Sequence, residues 1–154
     1  MSTPRSVHGT LKALQAKGLS RLESQMLVLH ALGLTSTDRA WLLTHDTHPI
    51  DAGQFERLEH LAEQRQSGVP MAYLIGRKRF HAIDLHIDPR VLDPRDDTET
   101  LVDWALHALP EGPQRVLDLG TGSGAIALAL QHQRPAWEVY ALDHSAGEIG
   151  RAHV

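Results

Sequence analysis

Arg115-Val-Leu-Asp-Leu-Gly-Thr-Gly-Ser-Gly124 runs straight into the apolar stretch Ala-Ile-Ala-Leu-Ala-Leu. Val116, Leu117 and Leu119 read as a short strand carrying the acid Asp118, and glycines follow at the alternate positions Gly120, Gly122 and Gly124. Glycine has no Cβ, so it accepts positive φ and lets a ligand lie against the backbone. A glycine-rich turn from strand to helix is expected to leave free N–H groups beside such a ligand. Ile126, Ala129 and Leu130 mark the core face of the following helix, which ends before Pro135. Trp137 to Leu142 reads as a second strand, ending at Asp143. A strand, helix, strand order predicts a βαβ unit in a parallel sheet, hence an α/β fold class.

Working upstream, Thr98 to Leu109 reads as a helix with Leu101, Val102, Ala105, Leu106 and Leu109 facing inward, capped by Asp97 or Asp96. Ile83, Leu85 and Ile87 alternate with polar residues, the pattern of a half-buried strand in a hairpin. Pro89, Pro94 and Arg95-Asp96-Asp97 make a connector after it. Residues 1–67 are all-helical in pattern. Val7, Leu11 and Leu14 repeat at helical spacing before Gly18. Ser20-Arg-Leu-Glu23 is a capping-box sequence opening a helix that stops at Gly33. Ser36 or Thr37 would cap a short helix holding Trp41, Leu42 and Leu43. Asp51 would cap another, with Phe55, Leu58, Leu61 and Ala62 on one face and Gly68 at its end. Short amphipathic helices with tight loops predict a small bundle. The expected organisation is a helical bundle over 1–67, a β-hairpin connector over 68–97, and the start of a further domain from 98 to 154.

The 154 residues suffice for one ordinary domain, or a small domain and part of another. A formal charge of −4 and a pI near 6.2 argue against non-specific nucleic-acid binding, which needs a basic face. There is no cysteine, so disulfides and thiolate metal sites are excluded and a reducing, cytoplasmic setting is expected. No signal core and no run of ~18 apolar residues occurs, so no membrane association is expected. The 11 histidines include His45 and His48, but no His-Glu-x-x-His pattern occurs, and no metal site is expected.

The glycine loop admits two cofactor readings. Gly120, Gly122 and Ala125 fit the dinucleotide fingerprint G-x-G-x-x-A. Counting Gly124 instead gives acidic-x-G-x-G-x-G, the pattern of S-adenosyl-L-methionine methyltransferases. In both classes an acid at the end of the second strand accepts hydrogen bonds from ribose hydroxyls, and Asp143 is that acid. Upstream sequence separates them. Gly68-Val-Pro-Met-Ala-Tyr-Leu-Ile-Gly76, Phe80 and Val91-Leu-Asp-Pro-Arg-Asp-Asp-Thr-Glu99 resemble the HemK/PrmC family, the peptide chain release factor N5-glutamine methyltransferases. The family pattern V-L-I-P-R-P-[DE]-T-E-x-L-V is kept at Pro94, Arg95, Asp97, Thr98, Glu99, Leu101 and Val102. Asp93 replaces an apolar residue and Asp96 a proline. A carboxylate in an apolar niche costs several kcal/mol unless exposed or paired, and Arg90 or Arg95 is the expected partner.

The resemblance implies a helical domain that engages release factors, joined to a class I (Rossmann-like) methyltransferase domain. Its cofactor would be S-adenosyl-L-methionine, and its substrate the glutamine of the release factor's Gly-Gly-Gln motif. Gly120, Thr121, Gly122, Ser123 and Gly124 would approach the methionine part of the cofactor and Asp143 its ribose. Thr98 and Glu99 would support the site. The family's catalytic Asn-Pro-Pro-Tyr does not occur in the chain, so no catalytic residue is assigned and an N-terminal, truncated piece is expected. Glu148-Ile-Gly-Arg-Ala-His-Val154 is what a widespread short-read sequencing adapter encodes in frame, and native sequence is expected to end near Gly147. The competing readings are a nucleic-acid N-methyltransferase, a non-catalytic release-factor-binding module and, more distantly, an NAD-linked oxidoreductase.

Overall fold

The computed structural model describes residues 5–35 and 38–145. The expected caps at Ser36 and Thr37 and the adapter-like tail lie outside the described residues. The chain divides into two compact units, Met1–Ile75 and Gly76–Val154.

The first unit contains β1 (Arg5–Ser6), α1 (Val7–Ala16), α2 (Arg21–Ala31), α3 (Arg39–Thr44), β2 (Pro49–Ile50), α4 (Ala52–Gln66) and α5 (Met71–Ile75). Helices α1, α2 and α4 start where the sequence supplies a side-chain acceptor. Ser20 and Glu23 form a reciprocal capping box, with Ser20 N–H donating to Glu23 Oε2 at 2.8 Å and Glu23 N–H to Ser20 Oγ at 3.2 Å. Asp51 and Gln54 do the same at the head of α4, at 3.0 and 2.7 Å. Gly18, Gly33 and Gly68 follow the helix ends with φ of +96°, +72° and +100°. The apolar faces meet in one core, in which Val7, Leu27, Val28, Leu58 and Ala62 are wholly buried. Each buried Val or Leu contributes about 1.5–3 kcal/mol relative to exposure. Three elements carry no sequence signal. The β1–β2 pair sets Arg5 opposite Ile50 in antiparallel register, and α5 lies within the stretch read as hairpin connector.

The second unit contains the antiparallel hairpin β3 (Arg77–Phe80) and β4 (Ile83–His86), then a 3-10 turn (Asp96–Thr98). It continues with α6 (Glu99–Ala108), β5 (Arg115–Leu119), α7 (Ala125–Gln133) and β6 (Glu138–Leu142). The alternation of Ile83, Leu85 and Ile87 turns all three inward with Phe80, Val91, Val102, Leu130 and Trp137. β5 and β6 pair in parallel, Arg115 opposite Glu138 and Leu119 opposite Leu142. That pairing turns Leu117, Leu119, Tyr140 and Leu142 to one face, where they are 57%, 69%, 50% and 56% exposed. α7 packs on both strands, and Val116 and Val139, which point to the opposite face, are half-buried.

Three expectations need correction here. Leu101 was expected inside but is 48% exposed, and only Val102 of the α6 face is fully buried. Neither Asp96 nor Asp97 caps α6, which starts at Glu99 without a side-chain cap. Asp96 is committed elsewhere, its Oδ1 accepting from Lys78 Nζ at 2.9 Å. Asp93 is paired with the same Lys78, 3.9 Å away, a partner the sequence reading did not name, while Arg90 binds Asp88. Both departures from the family signature therefore converge on one lysine of β3. Among the described residues no helix is long and apolar enough to cross a membrane.

Candidate functional site

The site residues of the glycine loop come together where β5 ends, α7 begins and β6 ends. Gly120, Gly122 and Gly124 all have left-handed φ, of +72°, +54° and +81°. A side chain at any of them would be strained, since L-residues rarely adopt that region. At Gly120 space is not the constraint, because an added Cβ would meet nothing within 4 Å. The loop thus presents an unobstructed backbone there.

Its N–H groups are less available than the sequence suggested. Gly120 N–H and Thr121 N–H both donate to the Leu142 carbonyl, at 2.8 and 3.1 Å. Gly124 N–H donates to the Thr121 carbonyl at 2.9 Å, and Gly122 N–H to Asp143 Oδ2 at 2.8 Å. The expectation of free amides along the loop fails at these positions because the end of β6 and Asp143 take three of the hydrogens and the loop's own Thr121 carbonyl takes the fourth. Thr121 and Ser123 are buried, and the Thr121 hydroxyl donates to Asp118 Oδ2 at 2.7 Å. That bond was not read from the sequence.

Asp143 is fixed from two sides. Its Oδ1 accepts from Ser145 N–H at 2.9 Å, and its Oδ2 from Gly122 N–H. The Ser145 and Gly122 amides, in that order, hold its pKa below the ordinary 3.8, with smaller help from His144. Asp143 is therefore ionised at neutral pH, and a carboxylate has lone pairs beyond the two these amides use. It is suited to accept from a diol while its orientation is set by the loop. The contact also brings together two sequence features 21 positions apart.

Thr98 and Glu99 stand at the head of α6. Thr98 makes no side-chain cap, and Glu99 Oε1 accepts from His81 N–H at 2.7 Å, at the tip of the hairpin. His45 stacks on Trp41 at 4.2 Å and 3°, with the His48 ring edge-on at 5.2 Å. Among the described residues no group of three or more histidine or acidic side chains is placed to hold a metal ion.

Residues 7–76 match the family model described as the PrmC N-terminal domain. A release factor glutamine methyltransferase of Xylella fastidiosa is 46% identical over 90% of the chain and 50% of its own length. The Bordetella pertussis protein of the same name is 48% identical over 88% of the chain and 49% of its own length. The Escherichia coli one is 39% identical over 92% of the chain and 50% of its own length. The chain spans about half the length of the curated relatives it matches.

Proposed function

We propose, on the premise that residues 7–76 belong to the PrmC N-terminal domain family and that the chain is a relative of release factor glutamine methyltransferases, that it carries half of a methyltransferase site. The activity would be transfer of a methyl group from S-adenosyl-L-methionine to the side-chain amide of the glutamine in a release factor's Gly-Gly-Gln motif. The observation that supports this best is the joining of loop and acid, Gly122 N–H to Asp143 at 2.8 Å.

The residues fit the cofactor. Gly120 offers backbone with no Cβ and open space beside it, and the ionised Asp143 offers acceptor capacity for ribose hydroxyls. Gly120, Thr121, Gly122, Ser123 and Gly124 would border the methionine portion, Thr121 and Ser123 being themselves buried. Asp118, by accepting from Thr121, ties the end of β5 to the loop. When bound, the cofactor supplies an electrophilic methyl on a sulfonium. The chain's own part is to bind and orient, which is the larger share of catalysis for a reaction governed by alignment. Nothing like Asn-Pro-Pro-Tyr occurs in the chain to hold the glutamine amide, so the complete reaction needs residues beyond those present. The first unit is proposed to contribute to release-factor engagement, and the setting to be cytoplasmic.

The test is Gly122→Val in a protein extended to the length of the relatives, assayed for methyl transfer to a release factor with circular dichroism as a folding control. Activity should be abolished while helical content is kept. Near-normal turnover by the folded variant would refute the cofactor-loop reading.

A further inference from the structure

His81 stands at the first position of the two-residue turn between β3 and β4, where Phe80 pairs with Ile83. It is the non-glycine residue with positive φ among the described residues, at +50°. Local preference favours glycine when the first residue of such a turn has positive φ, and a side chain there persists only where the surroundings over-determine it. Three side chains from two helices do so. Glu99 Oε1 of α6 accepts the His81 N–H at 2.7 Å. Asp103 Oδ1, one helical turn further, lies 3.1 Å from His81 Nε2. Gln133 Nε2, the last residue of α7, lies 3.3 Å from Nδ1. With the ring proton on Nε2, that nitrogen donates to Asp103 and Nδ1 accepts from the Gln133 amide. The ring is mostly covered, 18% exposed, whereas Asp103 is 64% exposed.

We propose that His81 is a side-chain lock that fastens the β3–β4 hairpin to α6 and α7, with Glu99 as the positioning residue that holds its backbone in the left-handed conformation. The lock accounts for a histidine where glycine is locally cheaper. It also gives Glu99 a role distinct from the first-turn charge of a helix, because its carboxylate is spent on the hairpin tip. Lys78, reaching Asp96 from β3 at 2.9 Å, fastens the same hairpin to the connector at a second point. The hairpin that follows the unit boundary at Gly76 is thereby made part of the sheet-containing unit.

The test is site-resolved amide exchange by NMR on the 154-residue chain. In Glu99→Met the His81 amide should exchange at least about tenfold faster, whereas Glu99→Gln, which keeps an acceptor oxygen, should stay within about threefold of wild type. His81→Gly should speed exchange of the paired hairpin amides by about tenfold despite its better backbone preference, because the ring contacts are gone. Unchanged His81 protection in Glu99→Met would overturn the lock. So would hairpin protection in His81→Gly equal to wild type, and this second variant decides alone if Glu99→Met does not fold.

Discussion

The helical unit and the two-stranded parallel sheet follow opposite rules for burying apolar surface. Along α1, α2 and α4 the apolar residues repeat at helical spacing, and Val7, Leu14, Leu27, Leu29 and Leu58 end at 1% exposure or less. The unit supplies both sides of its own core. On β5 and β6 the equally apolar Leu117, Leu119, Tyr140 and Leu142 are all at least half exposed. A parallel sheet is normally covered on both faces, and among the described residues α7 packs on both strands and buries one side. A helix carries its hydrogen bonds and caps within a short stretch, whereas a parallel sheet depends on distant strands and on layers above and below. Equal hydrophobicity in the sequence therefore has different outcomes in the two regions.

Limited proteolysis sharpens that comparison most. Under mild digestion a core within residues 5–75 should outlast residues 115–142, since local opening is easiest where few apolar contacts hold an element. Longer survival of the β5–α7–β6 segment would break the contrast. Leu58→Ala should then cost the helical unit about 2–5 kcal/mol, the range for a buried leucine truncated to leave a cavity. Leu119→Ser should change stability by no more than about 0.5 kcal/mol and should raise solubility. Urea titrations followed by circular dichroism measure both, and comparable losses at the two sites would contradict the account.

A smaller effect is expected at the helix caps. Ser20→Ala should cost about 1 kcal/mol, as loss of a side-chain cap does, and denaturant midpoints will show it. The same box sets a pH dependence. The hydrogen bonds from Ser20, and then from Arg65, hold the Glu23 pKa below its ordinary 4.5. A carboxyl depressed on folding contributes stability that is present above the unfolded value and lost as pH falls through the folded one. The helical unit should therefore weaken as pH drops below about 4.5, and Glu23→Gln should remove part of that slope. An unchanged slope in the variant would remove Glu23 from the explanation.

The residues that were legible in the sequence are those whose structure is decided locally. Ser20 with Glu23, Asp51 with Gln54, and the alternation at Ile83, Leu85 and Ile87 each announce an element within a few positions. Asp118, the glycines and Asp143 announced a strand, loop, helix and strand. What was missed depends on distant partners. Lys78 captures Asp93 and Asp96, neither of which is near it in sequence. Asp96 was therefore lost as a helix cap. The Leu142 carbonyl takes two loop amides expected to be free. α5 has only 5 residues, too few for a helical period to show, and Leu101 repeats at helical spacing yet stays 48% exposed on α6.

The proposed cofactor site rests on one contact, the glycine loop bound to Asp143. Calorimetric titration of S-adenosyl-L-methionine tests it most directly, using a protein extended to the length of its relatives beside its Asp143→Ala variant. The extended wild type should bind clearly, and the variant should bind at least about tenfold more weakly, as expected when hydrogen bonds to a charged acceptor are removed. The present chain alone should bind weakly or not at all. An affinity left unchanged by Asp143→Ala would contradict the account and remove the acid from the site.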